Sequence, residues 1–151
     1  MMRWLLVVLG VVVLTGCARS DRPADAPFAE LVRDGGWSVV AVSDGNSTAG
    51  IPSTDPPVSV RFVAGEASGE TGRVEGFAGV NRFSGAYRIT EEGGLSIGPI
   101  AATKMAGPAP LMRFEGAFLR ALEASTSIER DGNTWVLRNE DGVTVRIVHA
   151  D

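Results

Sequence analysis

Short runs that alternate apolar and polar residues, each closed by glycine or aspartate, recur along most of this chain and restrict what it can fold into. Val58-Ser59-Val60-Arg61-Phe62-Val63 is the clearest. A period of two puts Val58, Val60 and Phe62 on one face, as a strand buried on one side requires. Gly65 to Gly72 reads as the turn after it. Upstream, Gly35-Gly36-Trp37 leads into the β-branched run Ser38-Val39-Val40-Ala41-Val42, which stops at the turn residues Ser43-Asp44-Gly45-Asn46. Residues 43 to 57, rich in glycine and proline, are expected to be a long loop. Downstream, Arg73 to Phe77 starts another strand, and Ala86 to Thr90 and Leu95 to Ile97 form a hairpin about Glu91-Glu92-Gly93-Gly94. Three more strands close the chain: Ser127 to Arg130, Thr134 to Arg138 and Val143 to Val148. Asp131-Gly132-Asn133 and Glu140-Asp141-Gly142 join them, and Asp-Gly between alternating runs is a strong hairpin signal.

One segment has a different period. Leu111, Phe114, Phe118 and Leu122 recur at spacings of three and four, the signature of one helix face. Pro108 and Pro110 fall where a first turn tolerates proline, so a helix is predicted from about Pro110 to Ala124. The expected fold is mainly β (α+β). It is a small antiparallel barrel-like meander of about seven or eight strands, with one amphipathic helix inserted before the last three, since closing such a sheet removes its edges.

The fold must manage without covalent staples, because the chain has a single cysteine. Cys17 follows a positive n-region at Arg3 and an apolar run from Trp4 to Leu14. Those eleven residues fall short of the roughly twenty that span a bilayer. Leu14-Thr15-Gly16-Cys17 resembles the bacterial lipobox, in which cleavage occurs just before a cysteine that carries diacylglycerol. Residues 1–16 are therefore expected to be a lipoprotein signal peptide, with Cys17 the lipidated first residue of an exported protein. Residues 17–34, polar and proline-containing, are expected to be a tether that Phe28 to Val32 ends in a short helical turn, and residues 35–151 the domain. Ala18 follows the cysteine and no aspartate lies beside it, which resembles the signal for the outer membrane, facing the periplasm.

Of the 151 residues, 135 remain after cleavage, with thirteen basic against eighteen acidic side chains once Arg3 is lost. A formal charge near minus five offers no electrostatic case for nucleic acid or an anionic membrane surface. The membrane is expected as a partner only through the N-terminal lipid. Catalytic chemistry is also poorly provided for. The only histidine is His149, and with Cys17 lipidated a Cys-His pair, a Ser-His-Asp triad and a His-rich zinc site are excluded. A dyad of Ser84 with Lys104, the only lysine, needs a desolvated amine, and solvated or capping lysine is the commoner role. Glu91-Glu92 fits a solvated turn, Asp131-Gly132-Asn133 lacks the ligand spacing of a calcium loop, and the Asn46-Ser47-Thr48 sequon carries no weight in such a protein. Neither an enzyme, nor a cofactor, nor a metal is expected.

The most informative segment runs from Gly76 to Tyr87, with glycine at 76, 79 and 85, Asn81, and the aromatics Phe77, Phe83 and Tyr87. Clustered glycines call for positive φ or close backbone approach, so a structural corner is predicted here, with Asn81 left-handed or bonded to nearby backbone.

Gly79-Val80-Asn81-Arg82-Phe83-Ser84-Gly85-Ala86-Tyr87, then Ile100-Ala101-Ala102-Thr103-Lys104-Met105-Ala106, the helix with Glu115, Phe118 and Leu122, and the terminal hairpins together resemble the META domain, also called HslJ-like. The likeness covers roughly Gly35 to Val148. It implies a small, mainly antiparallel β domain of secreted or membrane-linked bacterial proteins, associated with heat-shock induction, antibiotic tolerance and motility, with no established enzymatic activity or agreed ligand. Family members commonly carry cysteine where Val80 and Gly107 stand, so a thiol pair or metal at those positions cannot operate here. Asn81, Arg82, Phe83, Gly85, Thr103, Lys104 and Met105 are the motif positions with a candidate binding role. The expected function is a non-enzymatic envelope lipoprotein that supports envelope integrity or stress tolerance by binding an envelope protein. The alternative is a small-molecule or peptide binder using the barrel mouth, with Arg82, Lys104 and the aromatics near them as contacts; a hydrolase or protease inhibitor ranks third.

Overall fold

A computed structural model describes residues 30–32, 35–65, 71–89 and 94–150. The expected signal peptide, Cys17 and most of the expected tether lie outside these residues, as do the centres of the turns expected after Val63 and Thr90. Ten strands are described: β1 (Gly36–Asp44), β2 (Thr48–Ala49), β3 (Ser59–Ala64), β4 (Thr71–Phe77), β5 (Arg82–Ile89), β6 (Leu95–Ile97), β7 (Ala101–Ala102), β8 (Ser127–Asp131), β9 (Thr134–Arg138) and β10 (Val143–His149). Helix α1 (Ala109–Ala124) precedes the last three. Eight strands form one antiparallel sheet in the order β6-β5-β4-β3-β1-β10-β9-β8, with β2 on β1 and β7 on β5. The two ends of the sheet approach where the Leu95 N–H donates to the Thr126 carbonyl at 2.8 Å, so the barrel is nearly closed. The mainly β barrel-like meander with one main helix is therefore the observed fold, with a further helical turn at residues 30–32; the two-residue strands β2 and β7 are too short to carry a period.

Strand β1 shows how side-chain phase shapes the barrel. Trp37 and Val39 point inward, but the next buried residue is Val42, three positions on. A bulge between Val39 and Ala41 in the pairing with β10 absorbs the extra residue and leaves Val40 46% exposed. Bulges of this kind bend and twist a strand, as barrel closure demands. On the other side of the barrel, inward-facing glycines of β4 lie opposite inward-facing aromatics of β5: Gly72 pairs with Tyr87 and Gly76 with Phe83. The rings lie across the glycines, and a Cβ on Gly76 would run into the Ser59 carbonyl and sit 2.9 Å from the Phe83 ring.

These rings build the core. Phe83 meets Phe118 of α1 edge-on with centroids 5.6 Å apart, and Phe114 stacks on Phe118 at 6.1 Å. Phe62 meets Tyr87 edge-on at 5.5 Å, and burial pushes the Tyr87 phenol above its ordinary pKa. Helix α1 packs against β1, β6 and β10 and buries Phe114, Phe118, Ala121 and Leu122. Its end is fixed by Ser125, whose hydroxyl donates to the Ala121 carbonyl at 2.8 Å. The core also takes in Leu31, fully buried, whose carbonyl accepts the Trp37 indole N–H at 2.9 Å. The folded unit thus extends back past Gly35 into the segment expected as tether.

Gly76→Ala should lower the stability of the folded domain by about 2 kcal/mol or more, since the added methyl meets backbone rather than a movable side-chain tip. Urea unfolding followed through Trp37 and Trp135 reads it; an unchanged midpoint would contradict the close approach.

Candidate functional site

The corner between β4 and β5 is occupied by Ala78 to Asn81. The chain reverses there with Gly79 at φ +111°, a conformation that favours glycine, and the Ala78 N–H donates to the Asn81 carbonyl at 2.9 Å. No non-glycine residue among those described has positive φ, so Asn81 serves the corner through hydrogen bonds rather than a left-handed backbone.

Those bonds use the whole side chain. Asn81 is 2% exposed; its Nδ2 donates to Glu115 Oε1 at 2.8 Å and to the Met105 carbonyl at 3.1 Å. Its Oδ1 accepts the Thr103 hydroxyl at 2.8 Å and the Met105 N–H at 2.7 Å. An asparagine amide offers two donors and two acceptor sites, and all four are taken. Glu115 completes the arrangement from α1: Oε2 accepts the Asn81 N–H at 2.7 Å and the Val80 N–H at 3.3 Å. Thr103 links back again, its hydroxyl accepting the Arg82 N–H at 3.2 Å and its own N–H donating to the Arg82 carbonyl at 3.0 Å. A buried carboxylate is costly unless hydrogen bonds replace its water, and here three N–H groups do so. One network joins the corner, the segment 103–105 and the helix.

The motif residues therefore divide into two sets. Asn81 and Phe83 are buried, and Gly85 faces Val74 beneath Ile100, whose Cγ1 lies 3.1 Å from where a Cβ on Gly85 would be. Arg82, Thr103, Lys104 and Met105 lie at the surface, with Met105 63% exposed. Lys104 has no hydrogen bond or ion pair among the described residues, and its exposure denies it the desolvation that the Ser84-Lys104 dyad required. Glu115 is the principal residue that sequence reasoning passed over as a site residue. The signal for it is an acidic side chain between Phe114 and Phe118 on the apolar face of the helix.

Val80 and Gly107 are neighbours in space. A Cβ built on Gly107 would lie 3.3 Å from the Val80 Cβ and 2.6 Å from its Cγ2. The valine branch fills the space that a side chain on Gly107 would need.

The inward side chains pack into one core cluster, and two concavities among the described residues bear on the site. A depression of about 500 Å³ on the β3–β4–β5 side is lined by Arg61, Glu75, Phe77 and Arg82 among others. A cleft of about 240 Å³ lies between α1 and the β1–β2 hairpin.

The META domain model matches residues 29–151. The chain belongs to the META domain family. Its start at residue 29 agrees with the burial of Leu31, and the Asn81–Glu115 network lies within the matched span. An NMR structure of a protein from Burkholderia xenovorans is similar, with 27% identity, a TM-score of 0.63, and coverage of 83% of this chain and 87% of that one. A second NMR structure shares the fold at 20% identity and TM-score 0.56, covering 81% and 94%. A crystal structure of a DUF4847 family protein from Bacteroides vulgatus does so at 15% identity and TM-score 0.52, covering 80% and 96%. No curated protein matches the chain.

Two substitutions test the network. Asn81→Ala leaves the Met105 backbone, Thr103 and Glu115 short of partners and should cost about 3 kcal/mol or more in urea unfolding. Asn81→Asp, almost the same shape, should cost at least as much at neutral pH because it sets a carboxylate against Glu115; a cost much below that of the alanine would refute the role given to charge.

The spacing at 80 and 107 gives a separate prediction. Val80→Cys with Gly107→Cys should form a disulfide on mild oxidation, since bonded cysteines hold their Cβ atoms about 3.5–4.5 Å apart. Mass spectrometry under non-reducing conditions would show the loss of two hydrogens; two persistently free thiols would contradict the geometry.

Proposed function

We propose that this META-family protein is an outer-membrane lipoprotein, anchored through Cys17 and facing the periplasm, which supports envelope integrity or stress tolerance by docking a protein partner at the surface made by Arg82, Lys104 and Met105. It is proposed to do so without catalysis. The anchor reading is supported by the apolar run, the Leu14-Thr15-Gly16-Cys17 motif and the placing of the only cysteine there.

The docking reading rests on one observation: a buried asparagine grips the Met105 backbone by both its N–H and its carbonyl while the Met105 side chain stands in solvent. A segment held this way loses little further entropy on binding. Methionine is suited to irregular apolar contacts, and the two flanking cations favour a partner with an apolar spot beside acidic groups. Phe77 and the depression beside Arg82 extend the same surface.

The test uses a photo-crosslinking side chain at Met105 in living cells, with the same group at Glu129 on β8 as control. The expected result is one adduct of discrete mass from position 105, absent from position 129 and lost when Arg82→Glu is added. Identical backgrounds at both positions would overturn the docking surface. In parallel, Cys17→Ala should move the protein out of the membrane fraction with its unfolding midpoint unchanged; membrane retention would overturn the anchor.

A further inference from the structure

The cleft between α1 and the β1–β2 hairpin is separate from the Arg82–Met105 surface. Its walls are aliphatic and small: Val42 and Val143 from the sheet, Ala117 and Ala121 from the helix. The alanines create the space, because a larger side chain on that helix face would fill it. At about 240 Å³ the cleft is below the roughly 300–1,000 Å³ usual for drug-sized ligands, which restricts it to a few heavy atoms.

Two unlike charges line this small volume. Asp44 is fixed: its Oδ1 accepts the N–H groups of Asn46 at 3.0 Å and Ser47 at 2.8 Å, and these bonds, Ser47's foremost, hold the carboxyl below its ordinary pKa. Its Oδ2 has no partner among the described residues. Arg120 lies along the helix, with Nη1 3.3 Å from where a Cβ on Gly116 would be. Neither forms an ion pair among the described residues, although both face one cleft.

We propose that this cleft binds small zwitterions with an aliphatic side chain, such as free amino acids of valine or leucine size. The carboxylate would meet Arg120, the ammonium group Asp44, and the side chain Val42, Ala117, Ala121 and Val143. An anion alone leaves Asp44 unmatched and repelling, a cation alone does the same to Arg120, and an uncharged aliphatic molecule satisfies neither. Bidentate recognition of a carboxylate is the strength of a guanidinium.

The experiment is a ¹⁵N-edited NMR titration of the mature chain carrying Cys17→Ser, using leucine, 4-methylpentanoate and 3-methylbutylamine as probes. Leucine should give saturable shifts confined to the amides of Val42, Ala117, Ala121 and Val143 and their neighbours. Each singly charged analogue, and each of the variants Arg120→Gln and Asp44→Asn, should weaken binding about tenfold or more. Arg120 is exposed on a helix, so Arg120→Gln carries the decision even if Asp44→Asn disturbs the turn. No saturable shift with leucine, equal affinity for either analogue, or unchanged affinity in Arg120→Gln would each overturn the proposal.

Discussion

The bonds between Asn81 and Glu115 are the constraint on which the rest of the domain depends. The two residues lie 34 positions apart and belong to different elements, yet their side chains meet at 2.8 Å in the interior. A buried carboxylate that forms no ion pair among the described residues must recover its hydration from N–H groups, and Glu115 recovers it from the corner it holds. The same asparagine then turns its remaining atoms on the Met105 backbone. Helix and surface segment are tied through the corner, because the hydrogen bonds of Glu115 and those of Thr103 and Met105 all end on residues 80 to 82. Networks of this kind act as units, and losing one member strands several partners at once.

The barrel around that network is shaped by what is missing as much as by what is present. Gly72 and Gly76 leave room on β4 that Tyr87 and Phe83 of β5 occupy, so aromatic area is buried where two Cβ atoms would have held the strands apart. Phe118 and Phe114 continue the same aromatic layer onto the helix. An eight-stranded barrel is just wide enough for side chains to fill. In this one the inward side chains pack into a single cluster, and the concavities lie beside Arg82 and beside Ala117 and Ala121.

Much of this was legible in the residues, and the exceptions share a cause. Val58, Val60 and Phe62, or Phe114, Phe118 and Leu122, announce their elements because a single face repeats along a single segment. The helix bounds followed to within a residue. The bulge at Val40 was not legible, since a β-branched run reads the same whether or not one residue is extruded from it. Leu31 looked like part of a tether because its partner, the Trp37 indole, is not deducible from a polar stretch. At the site, Asn81 was recognisable as a corner residue, but the choice between left-handed backbone and side-chain bonding depends on Glu115 and Met105, which only the fold brings near. Arg82 and Lys104, neighbours of Asn81 and Met105 in the motif, prove to face outward while Asn81 faces in. Chain proximity says nothing about which side of a strand or loop a residue takes.

Val80 and Gly107 show what the corner requires. The resemblance to family members with cysteine at both positions suggests a thiol pair or a metal there, and in this chain the pair is instead a branched side chain set against a missing one. The two positions are in contact range all the same. Neither residue can change alone without loss: a side chain on Gly107 strikes Val80, and a smaller residue at Val80 opens a void against the glycine. Without a cross-link between the corner and the segment that ends at Gly107, the hydrogen bonds from Asn81 to Met105 become the principal tie between the two. A polar network thus ties the two together in a protein whose single cysteine, Cys17, stands far along the chain from this corner.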